Sequence, residues 1–192
     1  MKKLHTRDII AQTVLETLQK KNICEITVSE IVHEVGVSTR TFYNCFSDKF
    51  EVCNYIYDIL LSSCCWTTNG RRSTLEEFFS NLMVAIAGDY SSFFRNTMCY
   101  TGQNNITEHI IERGVEDLKD QLRYTGHEAL ITSANVTLLQ FYMRGLSSTL
   151  QFFISTTSNT EKEILLRHDK TSFLPQSMYD ALTSALISSQ EN

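Results

Sequence analysis

Residues that form turns are scarce in this chain. Its 192 residues include seven glycines and a single proline, whereas hydrophobic residues make up 42%. Proteins built from many short strands need frequent turns, which glycine and proline usually supply. The sequence therefore predicts an all-α fold with long helices, and the chain is long enough to form its core without disulfides.

The N-terminal segment has the periodicity of an amphipathic helix that begins near Thr6. Its mostly apolar stripe recurs at three- and four-residue spacing and consists of Ile9, Ile10, Thr13, Val14, Thr17 and Leu18. Lys20 and Lys21 suit the negative end of a helix dipole, and Asn22 can adopt the left-handed conformation that closes a helix. The first helix is therefore expected to end near residue 21.

Two short helices are predicted next. Thr27 and Glu30 form a capping box, in which each side chain accepts a hydrogen bond from the other residue's backbone amide, so a second helix begins at residue 28. Gly36 permits the positive φ of a tight turn, and Ser38 can cap a third helix over about 39–45. Two helices joined by a turn that contains glycine make a helix-turn-helix.

Helical periodicity continues through the rest of the chain. Further helices are predicted at about 47–63, 74–88, 90–100, 105–124, 128–154 and 175–189, with a loop near 66–73. The segment 128–154 is apolar on more than one side, so it needs partners on two faces. About nine helices result: a three-helix N-terminal domain over residues 1–50, with its helix-turn-helix at about 27–46, and a helical bundle over 51–192.

An ordered series of features extends from Thr6 to Val52. It consists of the first helical stripe ending in Asn22, the box Thr27-Val28-Ser29-Glu30-Ile31, the turn Gly36-Val37-Ser38, and the run Thr39-Arg40-Thr41-Phe42-Tyr43-Asn44-Cys45-Phe46 before Ser47-Asp48-Lys49. This series resembles the DNA-binding domain of the tetracycline-repressor (TetR) family of bacterial transcription regulators. Val32 departs from the usual Ala, Phe42 from the frequent Leu, and Cys45 from the frequent His. The resemblance implies a DNA-binding regulator, a repressor that a small-molecule effector releases.

Eight residues are candidate contacts to duplex DNA: Thr27, Ser38, Thr39, Arg40, Thr41, Tyr43, Asn44 and Lys49. The free amides at helix starts favour phosphate or base-edge contacts. Arg40 can donate two bonds to a guanine edge, Asn44 can pair with adenine, and the Thr41 methyl can touch a thymine methyl. Tyr43 and Lys49 suit backbone phosphates. Each residue also has an ordinary explanation as a solvated charge, a helix cap or a half-buried ring.

The charge distribution limits where an anion can bind. The chain has a net charge of −5, but residues 1–50 hold seven Lys and Arg against six Asp and Glu, whereas residues 51–192 hold ten against sixteen. Phosphate contacts supply most of the non-specific affinity for DNA. Any DNA contact is therefore expected in the first quarter of the chain.

The resemblance implies that residues 51–192 sense a ligand and form a dimer. Family members commonly pair their last two helices with those of a second chain, and the counterparts here are about 128–155 and 175–189. The surplus apolar faces of these segments also call for a partner. We expect a two-fold homodimer whose recognition helices meet successive major grooves, about 34–36 Å apart, on a near-palindromic duplex.

A small-molecule effector inside the second domain is a further implication of the resemblance. Candidate lining residues are Trp66, Phe79, Met83, Phe93, Phe94, Met98, Tyr100, Phe141, Tyr142 and Arg144. Aromatic and Met residues are also ordinary core residues, and their spacing does not separate a cavity from a filled interior. Arg144 can equally lie on the surface or pair with a carboxylate. The alternative is a TetR-like activator or corepressor that works through a protein partner, without a small-molecule ligand.

Other classes of function find no support in the sequence. It contains no Gly-rich phosphate loop, GxSxG or HExxH, so neither an enzyme nor a cofactor or metal site is predicted. The six cysteines lack metal-binding spacing and are expected to be reduced; the adjacent Cys64 and Cys65 could sense oxidants, although helix packing explains them as well. No apolar run reaches the roughly 18 residues of a membrane span, and no signal peptide is present, so a cytoplasmic protein is expected.

Overall fold

The computed structural model describes residues 5–62, 67–68, 71–72, 75–155 and 176–183. Within these residues the fold is all-α, as the sequence predicts. Its helices are α1 Thr6–Thr17, α2 Val28–Val35, α3 Thr39–Tyr43, α4 Lys49–Leu60, α5 Leu75–Ala87, α6 Ser91–Thr97, α7 Ile106–Tyr124, α8 Ser133–Ser155 and α9 Gln176–Thr183. No helix in these described ranges is both long and apolar enough to cross a bilayer.

Side-chain caps determine where the first helices begin. The capping box of Thr27 and Glu30 is confirmed at the start of α2, and Gly36 ends that helix with a φ of 74°. Ser38 caps α3 by accepting a hydrogen bond from the Thr41 amide at 3.1 Å. Asp48 caps α4, since its Oδ1 accepts from the Phe50 and Glu51 amides at 2.8 Å each. The three helix starts predicted between residues 27 and 49 are therefore present.

The end of α1 differs from the prediction. The helix stops at Thr17 and not near residue 21. Asn22 has extended backbone angles instead of left-handed ones, and it caps a 3-10 turn over Ile23–Glu25. Its Oδ1 accepts from the Cys24 amide at 2.9 Å and from the Glu25 amide at 3.3 Å. Asparagine is as good a start signal as a stop signal, and here the next turn uses its side chain.

A compact apolar core holds the first four helices together. Helix α1 packs against α2 and α4, and α2 packs against α3. The fully covered side chains of this core include Ile10, Val14, Leu18, Ile23, Ile26, Ile31, Phe42, Phe46 and Val52. Three of the six residues of the predicted stripe are thus buried, Thr13 and Thr17 are half-buried, and Ile9 is exposed at one edge.

The contacts of the chain define two compact units. The first contains the residues up to Leu61 together with Ala85–His109, and the second contains Ser62–Val84 and the residues from Ile110 onward. Because α4 packs directly on α1, it belongs to the first unit by contact. This grouping differs from a division at residue 50.

In the second unit, two predicted boundaries differ from the structure. The segment predicted as a loop near 66–73 contains a small hairpin, in which Thr67–Thr68 pairs antiparallel with Arg71–Arg72. Glu128 starts a 3-10 turn, and α8 begins only at Ser133. Thr132 provides the start signal, since its Oγ1 accepts from the Asn135 amide at 3.3 Å.

Helices α7 and α8 approach closely in the second unit. A Cβ atom added at Gly114 would meet the end of the Met143 side chain, so that flexible side chain would have to move to make room. The buried apolar residues of the pair include Ile110, Ile111, Val115, Leu118, Leu122, Leu139, Tyr142, Met143, Leu150 and Phe153. They recur at helical spacing, which explains why these two segments were recognisable as helices.

Candidate nucleic-acid interface

Helix α3 has one buried side and one polar side. Phe42 is completely buried, and its ring centroid lies 6.1 Å from that of the buried Phe46. Thr39, Arg40, Tyr43 and Asn44 are exposed, and Thr41 is half-buried. Phe42 and Phe46 therefore anchor this helix, while its polar residues remain accessible.

The start of α3 is tied down locally. The hydroxyls of Ser38 and Thr41 lie 2.8 Å apart and share a hydrogen bond, in addition to the cap on the Thr41 amide. The Thr41 methyl group is therefore held in a defined place next to the exposed Arg40. This geometry suits an apolar contact to a thymine methyl, because such a contact needs no hydroxyl group.

Thr27 lies beside a negative charge. Its amide and hydroxyl both donate to Oε2 of Glu30, at 2.8 and 2.9 Å, and Lys21 Nζ lies 3.2 Å from Oε1 of the same carboxylate. The hydrogen bond from the Thr27 amide, then that from its hydroxyl and then Lys21 hold the pKa of Glu30 below its usual range. The structure thus uses the Thr27 hydroxyl as part of a cap, and its phosphate contact stays a prediction.

Lys49 is engaged within the first unit. Its Nζ donates to the carbonyl oxygens of Ile26, at 2.5 Å, and Cys24, at 3.3 Å. The ammonium group also lies 5.2 Å from the centroid of the Phe50 ring. Lys49 therefore links the start of α4 to the segment that precedes α2, and a phosphate would have to share this ammonium group with two carbonyls.

A brace around Arg7 supports the far end of α3. The guanidinium carbon of Arg7 lies 4.7 Å from the Phe46 ring centroid and 4.4 Å from that of Tyr55. Its Nη2 is 3.7 Å from Oε1 of Glu51, and the same Glu51 accepts a hydrogen bond from the Ser47 amide at 2.6 Å. Sequence reasoning did not find this brace, since Arg7 lies about forty residues before its partners in the chain.

The same brace includes a titrating pair. The Tyr55 hydroxyl donates to Oδ1 of Asp8 at 2.7 Å. This hydrogen bond is the main reason why the pKa of Asp8 is lowered and that of Tyr55 raised. Because the fold favours the ionised Asp8, the contact stabilises the first unit above the ordinary aspartate pKa of about 3.9 and is lost as the pH falls through the lower folded value.

The loop after α6 supports the start of α4. The Tyr100 ring stacks on Phe50 with centroids 3.8 Å apart and an angle of 5° between the planes. Asn104, with a φ of 57°, donates from Nδ2 to Oδ2 of Asp48 at 2.7 Å, and its carbonyl accepts from Asn54 Nδ2 at 3.2 Å. Tyr100, a candidate for lining an effector cavity, thus packs against α4 instead.

The candidate effector residues fall into three groups. Phe94 and Met98 are buried in the first unit, together with Phe93. Phe79 and Tyr142 are buried in the second unit, where their ring centroids lie 6.2 Å apart, and Met83 is half-buried there. Trp66 lies outside the described residues.

Phe141 corrects the prediction that it lines an interior, whereas Arg144 has the surface position that its sequence context also allows. Phe141 is 72% exposed, and Arg144 is exposed as well. The reason is their position on α8: Phe141 precedes the buried Tyr142 and Arg144 follows the buried Met143, and each is rotated by about 100° around the helix axis, away from the buried stripe. Both side chains therefore lie on the outer surface of α8 in the single chain.

Across the described residues, no group of three or more His, Cys, Asp or Glu side chains is placed to hold a metal ion. No protein-family model matches the chain, and no curated protein is significantly similar to it. The function is therefore inferred from the residues and contacts described above.

Proposed function

We propose that this protein is a sequence-specific, DNA-binding transcription regulator of the TetR type, and that α3 reads the major groove of duplex DNA. One observation carries the proposal: α3 is anchored on the buried Phe42 and turns Arg40, Tyr43 and Asn44 toward solvent. A recognition helix needs such an arrangement, because base edges are read by side chains that project from a rigid support.

The spacing of the exposed residues fits groove recognition. Arg40 and Asn44 are four residues apart, so they lie on the same side of the helix, and Tyr43 is three residues from Arg40. Arg40 suits a guanine and Asn44 an adenine. Tyr43 has a hydroxyl group at the end of a 55% exposed side chain and suits a phosphate oxygen.

The electrostatic part of the binding should be small. Lys49 is shared with two carbonyls, Lys21 pairs with Glu30 and Arg7 pairs with Glu51, so three of the six cations described in the first unit are already engaged. The affinity falls with salt in proportion to the number of neutralised phosphates. We therefore expect a shallow salt dependence and a large share of the specificity from base contacts.

The proposal is tested by selecting duplexes from random DNA with the full-length protein and measuring affinity for the selected site. Arg40→Ala should weaken that affinity by about 1–3 kcal/mol and relax the preference at one base pair. The matched control is Arg95→Ala, which removes the same charge from an exposed position on α6. Equal losses in the two variants, or no binding of any duplex at low salt, would contradict the proposal.

We further propose that α8 forms the core of a two-fold dimer that brings two recognition helices to a near-palindromic site. Three apolar side chains support this: Leu138, Phe141 and Phe152 are 44%, 72% and 53% exposed. Repression relieved by a small molecule is the mode of regulation that the resemblance implies. If two copies of the chain do not cover these side chains, they suit the alternative regulator, in which a different protein packs on them.

A further inference from the structure

A groove of about 570 Å³ lies on the surface of the first unit, beside the contact of α1 with α4. Ile9 of α1 and Ile59 of α4 line it and are 41% and 43% exposed. The buried Ile56 and the half-buried Tyr90, which directly precedes α6, line it as well. A ligand that covers these side chains releases water from apolar surface, which is favourable.

The size of the groove suits a small molecule. Sites for small organic ligands typically measure about 300–1,000 Å³ and combine an apolar lining with a few polar groups. Helices α1 and α4 pack directly on each other, so the two walls of the groove are fixed by the core of the first unit. None of the groove residues belongs to the set predicted to line an effector cavity, so this is a separate site.

The charge of the groove favours a positive ligand. Among the described residues that line it, the charged ones are Asp8 and Glu16, both acidic. They are eight residues apart, which is about 12 Å along the axis of α1, so a small ligand meets one carboxylate at a time. Carboxylates repel an anion and attract a cation, and the attraction is stronger next to a protein surface than in bulk water.

Glu16 is the better placed of the two carboxylates. Both oxygens of Asp8 already accept hydrogen bonds, Oδ1 from the Tyr55 hydroxyl at 2.7 Å and Oδ2 from the His5 amide at 3.3 Å. Glu16 is exposed, and its Oε1 accepts from Nε2 of Gln12 at 2.8 Å. Because Gln12 is neutral, this contact leaves the negative charge of Glu16 to attract a ligand.

We propose that this groove binds a small aromatic cation, such as a quaternary ammonium group carried on a ring system. The ring system covers Ile9 and Ile59, and the cationic group lies next to Glu16. Tyr90 adds an aromatic ring to the lining, and such a ring attracts both a second ring and a cation. A quaternary ammonium group donates no hydrogen bond, which suits a groove whose surface is mainly apolar.

The test compares three probes that carry the same naphthyl ring and differ in charge. Naphthylmethyl-trimethylammonium is the cation, naphthylmethanol the neutral probe and naphthylacetate the anion. Isothermal titration calorimetry of the full-length protein at low salt measures their dissociation constants. We expect the cation to bind most tightly and the anion about tenfold more weakly than the cation, because the two probes differ by two charges next to a carboxylate.

Two variants test whether the cation binds in the groove. Ile59→Lys adds a positive charge and removes apolar surface, so it should weaken binding of the cation by about tenfold or more. Its matched control, Gln103→Lys, adds the same charge to an exposed loop outside the groove. Glu16→Gln removes only a charge and should weaken the cation about two- to fivefold while leaving naphthylmethanol unchanged, with Glu34→Gln on α2 as its control. Circular dichroism checks that every variant is folded.

Four outcomes would overturn the proposal. The cation would fail to bind at millimolar concentration, or the anion would bind as tightly as the cation, or Ile59→Lys and Glu16→Gln would bind the cation as tightly as their controls. In the fourth, binding would weaken as the protein concentration rises, which would mean that a second copy of the chain covers the groove. None of these measurements uses DNA, so they succeed or fail independently of the proposed regulator function.

Discussion

Helices α3 and α8 distribute their apolar side chains in different ways. In α3 the phenylalanine is completely buried, and the exposed residues are polar or carry a hydroxyl group. Helix α8 buries one apolar stripe and exposes another, which consists of Leu138, Phe141 and Phe152. The comparison shows that α3 keeps its apolar side chain inside, whereas α8 leaves three large apolar side chains exposed in the described part of the chain.

The positions on α8 support this interpretation. Leu138, Phe141, Gly145 and Phe152 follow one another at intervals of three, four and seven residues, which places them on one side of a helix. The buried stripe occupies the opposite side and packs within the second unit. A helix with two apolar sides needs two partners, and the described part of the single chain supplies one of them.

The largest effect is expected from Phe42→Ala, which tests whether α3 is anchored by packing. Removing a completely buried phenylalanine should lower the free energy of unfolding by about 3–5 kcal/mol. Tyr43→Ala is the matched control in the same helix, and its 55% exposed side chain should change stability by about 0.5 kcal/mol or less. Urea unfolding measures both values, and similar losses would contradict the two-sided description of α3.

A smaller effect is expected from Phe141→Asp, which tests whether a second copy covers α8. A two-fold interface contains the substitution twice, so the dissociation constant of the dimer should rise on the order of a hundredfold. Val84→Asp is the control, since Val84 is 66% exposed on α5, outside the α8 stripe.

Sedimentation equilibrium measures both dissociation constants. If Val84→Asp weakened association as much as Phe141→Asp, the interface would not be specific to α8. If the unmodified protein stayed monomeric at every concentration, a different protein would be the partner of the exposed stripe, and the partner-dependent alternative would replace the dimer.

The sequence predicted the parts of the fold that depend on neighbouring residues. Thr27, Gly36 and Ser38 act within three or four positions of themselves, so their roles as caps and turn could be read directly. The polar edge of α3 was predictable for the same reason, because the burial of Phe42 fixes the direction of its neighbours. Its contact with DNA stays a prediction.

Long-range contacts left no comparable signal. Lys49 bonds carbonyls more than twenty residues earlier, and Arg7 reaches Phe46 and Tyr55. Neither set of contacts follows a repeating spacing in the sequence. Lys49, which the sequence presents as a cation for a phosphate, therefore turns out to be bonded within the first unit. The prediction for Asn22 was wrong for another reason. Asparagine is favoured both at the end and at the start of a helical turn, and here the burial of Ile23 and Ile26 selects the second role.

The smallest effects are expected from a glycine-to-alanine substitution, made once in the turn before α3 and once in α8. Gly36→Ala should lower the free energy of unfolding by about 1–2 kcal/mol, because its φ of 74° disfavours a residue with a Cβ atom. Gly145→Ala should raise it by roughly 0.5–1 kcal/mol, because Gly145 lies in the interior of a helix with no atom within 4 Å of the added Cβ.

Urea unfolding at one protein concentration compares the two glycine variants, and Gly36→Asn is the control that tolerates a left-handed φ. An equal loss of stability in Gly36→Asn and Gly36→Ala would mean that glycine is needed at residue 36 for a reason other than its positive φ. A loss of stability at Gly145 would be the more informative contradiction. Since the described residues leave open space above Gly145, that loss would indicate that a further segment packs against the glycine, on the stripe of Leu138, Phe141 and Phe152.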